Sequence, residues 1–325
     1  MDTTRRALLV GIDQYQHMPH LTGCAADAIA MRGLLQRNDN GGPNYDCRVL
    51  TGAEGPPITR ELLRSQWHTL FDNFDGHALF HFSGHGKPTS AGGVLVTQDG
   101  TQGDPGLPMD ELVTLANRSK AKTLLLIVDC CYAGNAGDPA ILQWNGSAQN
   151  QALIREGVTI LAASRQTESA REAAGHGVFT KLILGALQGG AADVRGRVSV
   201  ASIYAYVEQA LGSWEQRPMY KSYADYLPPV RQCKPLVSDA LLRELPRLFK
   251  DETAQFCMSP SFERSHPSAK PSHVNIFDRF KTLRNANLLT TQAGKDLYFI
   301  AIEAGWVKLT PLGRFYRQLA EKGLI

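Results

Sequence analysis

The chain has 325 residues, a formal net charge of +3, 43% hydrophobic and 20% charged residues. That is enough chain for one large α/β domain and a smaller one, and a typical globular composition, so fibrous and disordered classes are excluded. No apolar run approaches the roughly 20 residues needed to span a bilayer, and Met1 to Arg6 lead straight into a strand pattern rather than a secretion signal. We therefore expect a cytoplasmic protein with no membrane association. Charge is uneven: residues 1–235 hold 21 Lys/Arg against 22 Asp/Glu, and residues 236–325 hold 13 against 9. A mildly basic tail on a near-neutral body is weak for duplex binding, so a nucleic-acid partner is not expected. The six cysteines, at 24, 47, 130, 131, 233 and 257, show neither paired C-x-x-C spacing nor His partners at zinc distances, which predicts reduced thiols and no metal site.

In chain order, Arg6–Ile12 reads as a buried strand, and Asp27 falls at the first turn of a helix over 28–35 with apolar residues at helical spacing. A short strand at Cys47–Leu50 and a helix over Thr59–Phe74 follow. Ala78–Phe82 is a second buried strand, ending in Ser83-Gly84-His85-Gly86. The hairpin-like stretch from Gly92 contains Asp99, Asp104 and Asp110. These offer oxygen ligands for calcium, but their spacing fits no EF-hand, and a solvated loop with a helix cap at Asp110 is the expectation. A helix over Met109–Asn117 precedes Thr123–Gly134, in which Leu124–Val128 form an apolar run without alternation, as in a parallel strand covered on both faces. Residues 135–156 lack periodicity and read as a loop. Arg155 in it could be a self-processing site, although an Arg beside Glu156 is more simply solvated. A strand at Gly157–Ser164 and helices at Gly177–Leu187 and Val200–Trp214 complete the body.

Alternation of strand and helix over the first 230 residues predicts a mainly parallel sheet with helices on both faces. Pro228-Pro229 and Lys234-Pro235 close this domain, placed at 1–235. An amphipathic helix over Ser238–Lys250 and a polar linker over Asp251–Ser272 make up a connecting segment, 236–272. The last block, 273–325, reads as helices at Phe277–Leu283, Lys295–Ala304 and Pro311–Glu321 with a strand at Trp306–Leu309, a small, mostly helical, winged-helix-like domain. Arg279, Lys281, Arg284, Arg314 and Arg317 offer phosphate-binding chemistry for a small anionic signal, unless they are solvated helix faces.

The chemistry gathers at two strand ends. In open α/β sheets ligands bind at the carboxyl ends of the strands. Cys131 follows one such end and His85 another, so neighbouring strands would bring a thiol and an imidazole together. A cysteine attacks only as thiolate, which a nearby imidazole stabilises. The same imidazole can return the proton to a leaving amine. Gly86 allows a backbone N–H to approach substrate closely, and with the N–H of Cys131 it would make an oxyanion hole.

These pieces resemble the caspase and metacaspase clan of cysteine peptidases. The matching segments are Ala7-Leu-Leu-Val-Gly-Ile12, Leu21-Thr-Gly-Cys-Ala-Ala-Asp27, His81-Phe-Ser-Gly-His-Gly86, Asp129-Cys-Cys-Tyr-Ala-Gly134, Leu161-Ala-Ala-Ser164 and Gly177-Val-Phe-Thr180. They cover about residues 5–215 in family order. The resemblance implies a catalytic dyad of His85 and Cys131, with Cys130 as the neighbour of the nucleophile. It also implies a metacaspase-type primary pocket of Asp27, Asp129, Ser83 and Cys24, and hence protein substrates cut after Arg or, less well, Lys. The family's acidic calcium cluster is not reproduced, so no cofactor is expected.

Because an open Arg-specific site would be toxic, the tail is expected to control activity through a protein activator or a small anionic signal. The resemblance implies an effector in bacterial stress, cell death or anti-phage defence. An inactive caspase-like scaffold and a nucleic-acid-binding regulator acting through the tail are the alternatives.

Overall fold

A computed structural model describes residues 4–53, 55–89, 92–130, 154–163, 172–173, 176–211 and 218–325. They form two compact units, one of residues 1–192 with 197–233 and the other of 193–196 with 234–325.

The first unit is built on a six-stranded sheet. Its strands are β1 (Arg5–Gly11), β2 (Asp46–Leu50), β3 (His77–Ser83), β7 (Thr123–Asp129), β8 (Val158–Ala162) and β12 (Met219–Tyr223), in the order β12-β8-β7-β3-β1-β2. All neighbours run parallel except β12, which pairs antiparallel with β8. That edge strand, M-Y-K-S-Y, escapes a reading of hydrophobic runs because its outer residues are half-buried or exposed. The central strands β3 and β7 are almost wholly buried along their length. A strand covered on both faces has no polar side to alternate with.

Strand alternation sends side chains into two separate cores. Ala78, Phe80 and Phe82 of β3, with Leu124, Leu126 and Val128 of β7, join Leu63, Trp67 and Phe71 of α2 (Arg60–Phe71) and Leu112 and Val113 of α3 (Met109–Arg118). On the opposite face Leu79, Leu125 and Ile127 join Met31 and Leu35 of α1 (Cys24–Leu35), Ile183 of α4 (Val178–Gly185) and Ile203 and Val207 of α5 (Val200–Leu211). The sequence's expectation that this last helix reaches Trp214 falls partly outside the described residues. The excursion after β3 is a small antiparallel sheet, β4 (Gly86–Thr89), β5 (Gly92–Val96) and β6 (Gly106–Pro108). Two-residue ladders complete the unit: β9 (Glu172–Ala173) with β10 (His176–Gly177), and β11 (Arg197–Val198) with β13 (Arg231–Gln232).

In the second unit the helix expected over 238–250 is two short ones, α6 (Asp239–Arg243) and α7 (Leu245–Leu248). Pro246 has no N–H to continue the ladder and is tolerated only at a helix start. Residues 251–272 are not a linker. They supply β14 (Gln255–Cys257) and the buried Met258 and Phe262. β14 pairs with β16 (Trp306–Leu309), which pairs with β15 (Leu289–Thr291) in an antiparallel sheet. With α8 (Pro271–Asn285), α9 (Leu297–Ile302) and α10 (Pro311–Glu321) this encloses a core of Phe249, Phe277, Phe280, Ile300, Val307 and their neighbours. The sequence reads as a linker there because Ser, Pro and charged residues surround only a few apolar ones.

No helix among the described residues is long and apolar enough to cross a membrane.

Candidate active site

The register of β3 on β7 sets Ser83 opposite Asp129, and the Gly84 N–H donates to the Asp129 carbonyl at 3.3 Å. Strands β3 and β7 thus end side by side at Ser83 and Asp129. Cys131 itself lies outside the described residues, as does the stretch 132–153. Cys130 is buried in the α2/α3 core with Val128 and Tyr15.

His85 is held at three points. Its backbone N–H donates to the Tyr15 hydroxyl at 2.8 Å, its ring lies 4.8 Å from that of Tyr15, and its Nε2 is 2.9 Å from the Pro19 carbonyl oxygen. A carbonyl can only accept, so Nε2–H is the donor, which in the neutral ring leaves the lone pair on Nδ1. The imidazole is thereby oriented with Nδ1 engaged by no backbone group among the described residues. Burial pushes the Tyr15 hydroxyl well above its ordinary pKa, so it stays protonated. Gly86 opens β4, and the Val96 N–H donates to the His85 carbonyl at 3.0 Å, which fixes the peptide joining the two residues.

Beside this tip sit two buried carboxylates, Asp27 at 0% and Asp129 at 4% exposure. Their placement follows from two helix starts. Helix α1 begins at Gly23, which has no side chain to cap it, and Asp13 instead accepts from the N–H groups of Cys24 at 2.8 Å and Ala25 at 3.2 Å. This draws the helix onto the end of β1, where a Cβ at Gly11 would overlap the Cys24 carbonyl oxygen, and carries Asp27 inward. Helix α4 likewise starts at a glycine, Gly177. Its Thr180 donates to Asp129 Oδ2 twice, from the N–H at 3.0 Å and the hydroxyl at 2.7 Å, and the Gly177 N–H donates to Asp27 Oδ2 at 3.3 Å. Both carboxylates therefore lie at the positive end of α4, the arrangement a helix dipole favours. Ser83 Oγ donates to Asp27 Oδ2 at 2.8 Å.

Burial nevertheless raises Asp129 to about 6; the two Thr180 hydrogen bonds oppose this and the neighbouring Asp27 charge adds to it. The Cys24 thiol, beside Ser83 and near Asp13, Asp27 and Asp129, is pushed up chiefly by burial and stays neutral. The four sequence-proposed pocket residues are thus together, close to His85. Sequence reasoning did not assign Asp13, Tyr15, Pro19, His81, Gly177 or Thr180 a part. The Gly177-Val-Phe-Thr180 segment was visible as a motif, but its contact with Asp129 across 51 positions was not.

Other expectations change. Asp99 accepts from the Arg60 backbone and side chain and from Thr97, and Asp104 pairs with Arg60, so the acidic loop is neutralised by the start of α2. Asp110 lies in the first turn of α3, whose cap position is Pro108. No cluster of three metal-ligating side chains occurs among the described residues. Arg155 is half-buried rather than simply solvated: its guanidinium donates to the carbonyls of Ala116, Ala121 and Glu156. In the second unit Arg279 pairs with Glu244, Lys281 with Asp278, and Arg284 with Asp296. Arg317 is buried against the carbonyls of Phe249 and Lys250 and against Glu321.

A parallel sheet carrying a histidine and an acidic pocket at adjoining strand tips defines the class of α/β protein with its site at the carboxyl edge. The caspase-domain family model matches residues 4–226, and the chain belongs to that family of cysteine peptidases. Among solved structures, the protein GSU0716 of Geobacter sulfurreducens is similar at 16% identity over 71% of this chain and 98% of its own, with a TM-score of 0.51. Caspase-1 of Spodoptera frugiperda is similar at 13% identity over 71% of this chain and 91% of its own, with a TM-score of 0.50. At such identities the likeness is one of fold. No curated protein sequence matches the chain.

Proposed function

We propose that the chain is a cysteine endopeptidase that cuts proteins after Arg, and less well after Lys, using Cys131 as nucleophile and His85 as base and then acid. The observation that carries this reading is the pair of buried carboxylates, Asp27 and Asp129, beside the oriented imidazole. The charge of Asp27 acts on Asp129 by repulsion, so a guanidinium entering the pocket would relieve it while making charge-assisted hydrogen bonds. Arg is preferred to Lys because its planar fork can engage two carboxylates at once. In the reaction, Nδ1 of His85 takes the thiol proton, the thiolate attacks the scissile carbonyl, and the proton passes to the leaving amine. Backbone N–H groups at Gly86 and Cys131 hold the oxyanion. Water then hydrolyses the thioester.

Residues 234–325 are read as the control element, since they form a compact unit with a core of their own. Four of the five basic side chains considered for an anion already have carboxylate or carbonyl partners, which favours a protein activator over a small anion. A regulated effector in bacterial stress, cell death or phage defence fits this arrangement.

The test is cleavage of fluorogenic peptides ending in Arg, Lys or Asp by the full chain and by Cys131→Ala, with and without lysate of stressed or phage-infected cells. Arg cleavage lost in Cys131→Ala supports the reading. Cleavage that survives that substitution, or no turnover under any of these conditions, counts against it and favours a scaffold.

A further inference from the structure

Behind Asp129 two more polar side chains continue the pocket inward. The Thr180 hydroxyl donates to Asp129 Oδ2 at 2.7 Å, and because a carboxylate only accepts, the one hydroxyl proton is committed to that bond. His81 Nε2 lies 3.2 Å from the same hydroxyl oxygen and must be its donor. The ring is thereby fixed as the Nε2-protonated tautomer, with a bare Nδ1. That Nδ1 is buried and has no hydrogen-bond partner among the described residues. His81 itself is 0% exposed, its strand neighbours in register being Leu9 on β1 and Ile127 on β7, and burial lowers its pKa to about 3. It is neutral throughout the working range.

An imidazole with one unmet acceptor is a costly occupant of a strand interior, where an aliphatic side chain would leave nothing unsatisfied. What it has that such a side chain lacks is the Nε2–H aimed at Thr180. Downstream, Asp129 Oδ2 is saturated by Thr180 and hemmed in by Gly177, where an added Cβ would stand 2.5 Å away. No hydrogen bond from the described residues reaches Oδ1.

We propose that His81 and Thr180 are positioning residues for substrate selection, a chain His81 Nε2–H to Thr180 Oγ–H to Asp129 Oδ2 that locks the carboxylate with Oδ1 presented to the incoming guanidinium. This rests on the reading of the acidic pair as receptor for a basic side chain. Without the chain Asp129 can rotate or take up a proton, and the pocket loses its hold on Arg while the dyad is untouched.

The experiment compares paired peptides that differ only in Arg or its neutral isostere citrulline at the cleavage position. It uses the full chain and the variants Thr180→Val, Thr180→Ser, His81→Phe and His81→Gln. Val and Phe remove a donor at nearly constant volume; Ser and Gln restore one. We expect Thr180→Val and His81→Phe to lower the Arg-over-citrulline ratio of kcat/KM about tenfold. The loss should fall in KM for the Arg peptide, with kcat changed less than twofold, and Thr180→Ser and His81→Gln should recover most of it. Variants that melt within a few degrees of wild type yet keep the wild-type ratio and KM overturn the proposal. Should Thr180→Val not fold, the His81 pair decides in the same way. A wild-type enzyme that cleaves both peptides equally refutes the acidic-pocket reading itself, an outcome distinct from an Arg preference that is indifferent to His81 and Thr180.

Discussion

Ser83 Oγ donates a 2.8 Å hydrogen bond to Oδ2 of Asp27, tying the tip of β3 to the first turn of α1. A hydrogen bond to an ionised group contributes about 1.5 to 3 kcal/mol where it is buried. Ser83→Ala should therefore raise KM for Arg peptides on the order of tenfold, since part of that energy converts at 1.4 kcal/mol per decade. Steady-state kinetics check it. An unchanged KM would mean that Asp27 keeps its position without this bond.

Asp129 holds its proton more tightly in the fold, at about 6, than at the ordinary 3.8 of an unfolded chain. The folded state thus binds more protons between those values, and stability falls as pH rises through the window. Replacing the charge by Asn removes the penalty. Asp129→Asn should be more stable than wild type at pH 7.5, by on the order of 3 kcal/mol, and little more stable at pH 4. Thermal melts at the two pH values measure this. The same variant should lose Arg cleavage, a trade of activity for stability.

The same titration governs recognition. Below about pH 6 Asp129 takes up a proton and no longer attracts a cation. Benzamidine binding to the Cys131→Ala protein, followed by calorimetry, should weaken as pH drops through that value. The inactive variant serves here because turnover would mix in the titration of the dyad. Affinity that stays flat from pH 5 to 7.5 would put the cation elsewhere.

Tyr15 supplies the acceptor for the His85 N–H and a face for its ring. Tyr15→Phe keeps the ring contact but leaves that N–H without its partner, at a cost of about 1 to 3 kcal/mol. The loosened imidazole should lower kcat severalfold while KM for the Arg peptide stays within twofold. A change confined to KM would assign Tyr15 to the pocket instead.

How much was legible beforehand varies by element. Strand β7 and its end were readable because a strand buried on both faces is uniformly apolar, and Asp129-Cys-Cys breaks that run abruptly. Strand β12 was not, since an edge strand has only weak hydrophobic pattern. Residues 251–272 read as a linker because the two buried apolar side chains that seat this polar segment, Met258 and Phe262, are averaged away in its composition.

Residue order alone placed His85 and Cys131 after strands, named Asp27, Asp129, Ser83 and Cys24 as a group through motif likeness, and set the fold class by alternation of strand and helix. Tertiary structure decided what those groups touch. Asp13 caps a helix eleven residues on, Thr180 reaches Asp129 across 51 positions, and Pro19 fixes the tautomer of His85 across 66. Such contacts have no sequence signature because hydrogen bonding and desolvation depend on distance in space. Chain spacing constrains that distance only within one helix turn or one strand pair.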